Sequence, residues 1–174
     1  MLEDFDTYEK ITNCFGRINA LGNNNCIFMG FVDTSKNIIT STIAGNVIGG
    51  IAGDITHIVT YATLESIDRS MNELYNYHAI LINETENGMV FLPTNAGLSY
   101  KDAVPLYDKA VLVPWNMVES ITVKKYSIFL NNCRSVRIKI ANVPEFRLIV
   151  YYKDKKLPYH EGNATNFLKK YEKK

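Results

Sequence analysis

The residues best suited to chemistry in this chain are three histidines, three cysteines and a scatter of carboxylates. His57, His78 and His160 stand in no HExxH or other ligand spacing, so nothing local supports a zinc or facial-triad site. Asp54 and His57 fall at i, i+3 on a predicted helix. A base with no nucleophile beside it reads as a cap carboxylate near a surface imidazole. Cys133 follows Asn131-Asn132 and precedes Arg134, a cation that would lower a thiolate pKa slightly, although a structural turn cysteine is the plainer reading. Cys14, Cys26 and Cys133 form neither a disulfide framework nor a CxxC clamp, which fits a reducing, cytoplasmic setting. There is no GxSxG elbow and no evident carboxylate pair. The sequence therefore predicts no catalytic residue, no metal ligand and no cofactor, an enzyme of unknown reaction whose groups converge only in the fold being the lesser alternative.

Small residues recur at every fourth position at Ser41, Gly45, Gly49 and Gly53. A phosphate-loop reading fails, because no lysine follows Gly50 and the spacing is not GxGxxG. If the segment is helical, its four glycines cost roughly 4 kcal/mol relative to alanine. Close packing must offset that cost, so Gly45, Gly49 and Gly53 are predicted at a helix contact, within the chain or with a second copy. A membrane span needs about 20 apolar residues. Here Asp54 ends the run after sixteen counted from Ile38, and Thr40, Ser41, Thr42 and Asn46 dilute it.

Lys124, Arg137, Lys139 and Arg147 lie on consecutive predicted strands, and no acidic residue interrupts 120–144. They are candidates for a basic face toward phosphate or lipid headgroups. At about 1 kcal/mol each near an anionic membrane, they would supply roughly 4 kcal/mol, a Kd of about 1 mM. That alone does not anchor a protein. The competing reading is a solvated outer sheet face, where lysine and arginine guard against edge pairing.

The elements that would hold these residues follow from length and periodicity. A chain of 174 residues suits one compact domain, able to bury about 70% of its extended surface. The net charge of +1 hides a division: residues 1–100 carry four Lys/Arg against eleven Asp/Glu, and 101–174 carry fifteen against seven. An acidic and a basic face on one molecule, or head-to-tail contact, would follow. A near-neutral total disfavours nonspecific nucleic-acid binding. Glu3, Asp4 and Asp6 stand where a signal peptide would carry lysines.

From Tyr77 onward the pattern has period two. Residues 79–85 and 89–94 flank Glu86-Asn87-Gly88, which predicts a hairpin through a type I′ turn with positive φ at both central residues. Residues 110–115 and 117–125 make two strands broken at Pro114, and 134–141 and 145–152 complete a meander. Pairing Ile140 with Phe146, Ile138 with Leu148 and Val136 with Val150 gathers the apolar residues on one face, with Lys139 and Arg147 on the other. Residues 162–174 form a terminal amphipathic helix, N-capped by Asn163, with Ala164, Phe167, Leu168 and Tyr171 as its stripe. Residues 38–77 read as a helical insertion, with Leu64, Ile67, Met71 and Leu74 at helical spacing. Residues 26–32 read as a strand whose hairpin partner is 8–20, an N-terminal helix being the alternative.

This order resembles a pleckstrin-homology-like (PH-like) barrel of the bacterial kind over about residues 77–174. The resemblance rests on His78-Ala79-Ile80-Leu81-Ile82-Asn83 turning through Asn87-Gly88 into Val90-Phe91-Leu92-Pro93, on Val113-Pro114-Trp115-Asn116-Met117-Val118-Glu119-Ser120-Ile121, on the strands to Tyr152, and on the helix with Phe167 and Leu168. It implies an α+β, mainly β fold: an antiparallel barrel or meander with a C-terminal helix, here carrying a glycine-rich insertion. It also implies a non-catalytic module that binds a protein or peptide partner or self-associates, with a peripheral anionic-lipid-binding domain as the alternative. It carries no ligand motif onto particular residues. An open antiparallel α+β domain is the runner-up fold.

Overall fold

The computed structural model describes residues 5–34, 64–96 and 103–172. Ser41, Gly45, Gly49, Gly53, Asp54 and His57 lie outside the described residues, as does most of the predicted insertion. In chain order come α1 (Tyr8–Arg17), β1 (Cys26–Val32), α2 (Leu64–Glu73), β2 (Ala79–Glu84), β3 (Gly88–Pro93), β4 (Val111–Pro114), β5 (Val118–Lys125), β6 (Cys133–Ile140), β7 (Phe146–Tyr151) and α3 (His160–Tyr171). The fold is α+β, with more strand than helix. Its seven strands form one antiparallel sheet, ordered β4-β3-β2-β1-β7-β6-β5 and curled into a half-barrel.

Two apolar clusters hold the sheet. The inner face gathers Phe28, Ile80, Ile82, Phe91, Val136, Ile138, Phe146 and Leu148. It is closed by Ile67, Met71 and Leu74 from α2 and its 3-10 extension and by Ala164, Phe167 and Leu168 from α3. Phe167 stacks on Phe28 at 4.5 Å between centroids. The outer face of β1–β3 presents Ile27, Met29, Leu81, Val90 and Leu92 to Ile11, Cys14, Phe15 and Ile18 of the α1 segment. β2 and β3 are therefore buried along their whole length.

The segment expected to pair with β1 as a strand is instead helix α1. Thr7 caps it by accepting from the Lys10 N–H at 3.3 Å. Ile11, Cys14, Phe15 and Ile18 recur at i, i+3, i+4 and i+7, so a helix buries all four on one side where a strand would split them. The insertion thus follows the first strand rather than the second.

The hairpin β2–β3 forms, but not through a type I′ turn. Among the described non-glycine residues only Asn19 and Asn142 have positive φ, so Asn87 does not meet that turn's requirement. Instead the Thr85 N–H bonds the Gly88 carbonyl, and the Thr85 hydroxyl accepts from the Asn87 N–H. Gly88 is needed for another reason: a Cβ there would collide with the Val113 carbonyl oxygen and lie 2.8 Å from Pro114 Cα on β4.

The β6–β7 register is displaced by two residues from expectation: Ile138 faces Phe146, Val136 faces Leu148 and Arg134 faces Val150. A two-residue slip keeps every side chain on its face, so alternation cannot detect it. The connection sets it. Asn142 is left-handed at φ 60°, the Val143 N–H bonds Ile140, and Pro144 has no N–H to give a ladder.

β1 and β7 touch over only two residue pairs, Phe31 with Ile149 and Val32 with Leu148. Beyond them the strands part, and α3 satisfies the exposed backbone. His160 Nδ1 accepts from the Met29 N–H at 3.1 Å while Nε2 meets the Tyr151 carbonyl at 2.7 Å. One turn later Asn163 donates to the Ile27 carbonyl at 2.8 Å. Asn163 is thus inside α3 rather than at its N-cap, which is Tyr159. The predicted stripe holds: Ala164, Phe167 and Leu168 are buried and Tyr171 half-buried.

Candidate functional site

The predicted basic residues fall on one face. In the observed register Ser120 faces Lys139, Thr122 faces Arg137, which faces Arg147, and Lys124 faces Ser135. These alternate with Ile121, Val123, Val136, Ile138 and Leu148, which point into the core, so all four cations share the outer surface of β5–β7. Carboxylates flanking the acid-free stretch neutralise half of them. Lys139 meets Glu119 at 2.6 Å, and Arg147 meets Glu145 at 2.8 Å. Arg137 sits between like charges, with its Nε buried and without a hydrogen-bond partner. Lys124 and its neighbour Lys125 are exposed and have no ion-pair partner among the described residues. Uncompensated charge therefore collects at the β5–β6 hairpin end.

The two edges of the sheet differ. β4 is four residues long, ends in Pro114 and lies beside α2, all of which blunt strand pairing. β5 runs for eight residues. On its outer side the described residues supply one bridge, a parallel contact from Val123 to Glu172 after α3, secured by Arg134 to Glu172 at 2.8 Å. No described residue pairs with 118–122 on that edge.

At one end of the half-barrel a recess of about 690 Å³ is lined by Asn24, Cys26, Glu84, Trp115, Lys170 and Tyr171 among others. Sequence reasoning did not find it, because it joins the start of β1, the end of β2, the turn before β5 and the end of α3. The Glu84 carboxylate is largely buried and accepts from Lys170 Nζ at 2.7 Å and the Tyr171 hydroxyl at 2.6 Å. Burial, then the hydrogen bond to Glu84, pushes the Tyr171 phenol up to about 12. Burial and the Glu84 charge push the Cys26 thiol up to about 11, so at neutral pH it is a protonated thiol, with Sγ 3.3 Å from the Asn163 carbonyl. Glu86 accepts from the Asn23 and Asn24 N–H groups, which hold its carboxyl below the usual range. The recess offers a fixed pattern of charge and hydrogen bonds rather than an activated nucleophile.

The remaining chemical residues are dispersed. Cys133 is buried, and desolvation raises its thiol pKa despite Arg134, opposite to the lowering expected. His78 packs against Phe31 at 5.5 Å. His160 is spent on the β1–β7 gap, with burial holding its pKa below the ordinary value. Among the described residues no helix is long and apolar enough to cross a membrane, and no cluster of His, Cys, Asp or Glu forms a metal set. Comparison with protein-family models, curated proteins and solved structures finds no match to this chain.

Proposed function

We propose that this chain is a non-catalytic interaction module of PH-like fold that binds an extended segment of a protein partner along β5. The curled seven-strand sheet with its C-terminal helix is compatible with that fold. The free edge of β5 carries the reading. Residues 118–122 present backbone donors and acceptors without a described partner on that side, and the half-buried Val118 and Ile121 sit beside them. An added strand would satisfy those groups by main-chain hydrogen bonds and gain specificity from alternate side chains. The bridge from Glu172 to Val123 already uses this edge for an intramolecular contact of the same kind.

A peptide display library tests this. Selected binders should slow amide hydrogen exchange at residues 118–122, and replacing Ile121 by proline should weaken them. Binders that protect another surface and leave 118–122 exchanging at the free rate would overturn the reading.

A further inference from the structure

We propose that the β5–β6 hairpin tip is a membrane-docking element that inserts Ile128 and Phe129 into the surface of an anionic bilayer. This goes beyond partner binding along β5. Ile128 is 81% exposed and Phe129 87%, whereas the other exposed large apolar residues among the described ones, such as Leu21 and Val104, are at most half exposed. Leu130 and Tyr126 extend the same patch at 42% and 38%.

The tip has a defined shape. Seven residues, 126–132, join β5 to β6. The Phe129 N–H donates to Ser127 Oγ at 3.2 Å, and Arg134 Nη1 donates to the Asn131 carbonyl at 3.3 Å, so the apolar pair projects from a fold held by its own polar groups.

Charge selects the occupant. Lys124 and Lys125, which have no ion-pair partner among the described residues, stand at the base of the tip, while Lys139 and Arg147 farther along the sheet are paired with Glu119 and Glu145. Apolar side chains at an apex with free ammonium groups one step behind match the depth profile of an anionic bilayer, acyl chains beneath negative headgroups. A specific protein interface commonly uses about 20–30 residues a side, far more than this seven-residue tip presents. The two attractions act together, which answers the weakness of the basic face alone.

The full chain is sedimented with vesicles of equimolar phosphatidylglycerol and phosphatidylcholine, and with vesicles of phosphatidylcholine alone. Binding should favour the anionic vesicles and fall with added salt. The double variant Ile128→Ser/Phe129→Ser should bind them at least about tenfold more weakly, since each replacement removes most of one apolar side chain from the bilayer. Its melting temperature should be unchanged, because both side chains face water in the free protein. Lys124→Glu/Lys125→Glu should weaken binding by about tenfold or more and flatten its salt dependence. With Phe129→Trp, emission should shift to the blue on adding anionic vesicles, measured against wild type to subtract Trp115. Absence of wild-type binding to the anionic vesicles, or equal binding by the serine variant, would overturn the proposal. So would light scattering in which wild type self-associates without binding vesicles and the serine variant does not, since the tip would then be a protein contact.

Discussion

The half of the sheet around β1–β3 and the half formed by β5–β7 are built from the same alternation and meet opposite fates. The first is apolar on both sides: Ile27, Met29, Leu81, Val90 and Leu92 on its outer surface are covered by α1. The second packs a continuous core only inside, and its outer surface carries Lys124, Arg137, Lys139 and Arg147 among Ser120, Thr122, Ile149 and Tyr151. Burial on two faces makes β2 and β3 read as continuous hydrophobic runs, while burial on one makes β5–β7 read as clean alternation. The open half leaves a charged face, an apolar tip and, among the described residues, a partly unpaired edge at the surface.

The largest expected break in that contrast is Phe15→Ala, which leaves a cavity beneath α1 and should cost about 3–5 kcal/mol in urea unfolding. A loss under about 1 kcal/mol would mean that α1 is not a structural cover. Gly88→Ala places a Cβ against the backbone of β4, and about 1–3 kcal/mol of destabilisation should follow.

His160 joins the two halves, so His160→Leu, which strands the Met29 N–H and the Tyr151 carbonyl, should cost about 2 kcal/mol. Its pKa is lowered in the fold, so the unfolded chain takes up the proton first. The associated stability is fully present above the unfolded value of about 6.5 and is lost as pH falls below it. Unfolding measured against pH should show this decline in wild type and a shallower one in His160→Leu; parallel profiles would remove His160 as its source. The smallest effect belongs to the open face. Lys139→Ala breaks an exposed, solvent-screened pair with Glu119 and should leave the urea midpoint within error of wild type in the same assay.

Local pattern carried much of this architecture. Residues 79–84 and 88–93 are strands joined by a tight turn at 85–87, Pro114 ends β4, and the stripe Ala164, Phe167, Leu168, Tyr171 lies where helical spacing puts it. The four basic residues share a face because period two fixes the side of each. Period two has no memory of register, however, and the slip of two between β6 and β7 was set by Asn142 and Pro144. The helix over 8–17, by contrast, was legible in the spacing of Ile11, Cys14, Phe15 and Ile18, which a strand would have split between two faces.

What the sequence determined by itself was the type of most elements and the inward or outward side of their residues, because both depend on neighbours within a few positions. Tertiary structure alone decided the rest. It set Glu119 against Lys139, brought Glu84 to Lys170 and Tyr171 across 86 and 87 positions of chain, and put His160 into the gap between β1 and β7. It also left Ile128 and Phe129 in water, although side chains of the same types fill the core strands. Each of these is a meeting, or a failure to meet, between residues far apart in the chain. Local periodicity holds no term for such distances, whereas the closure of the sheet fixes them all at once.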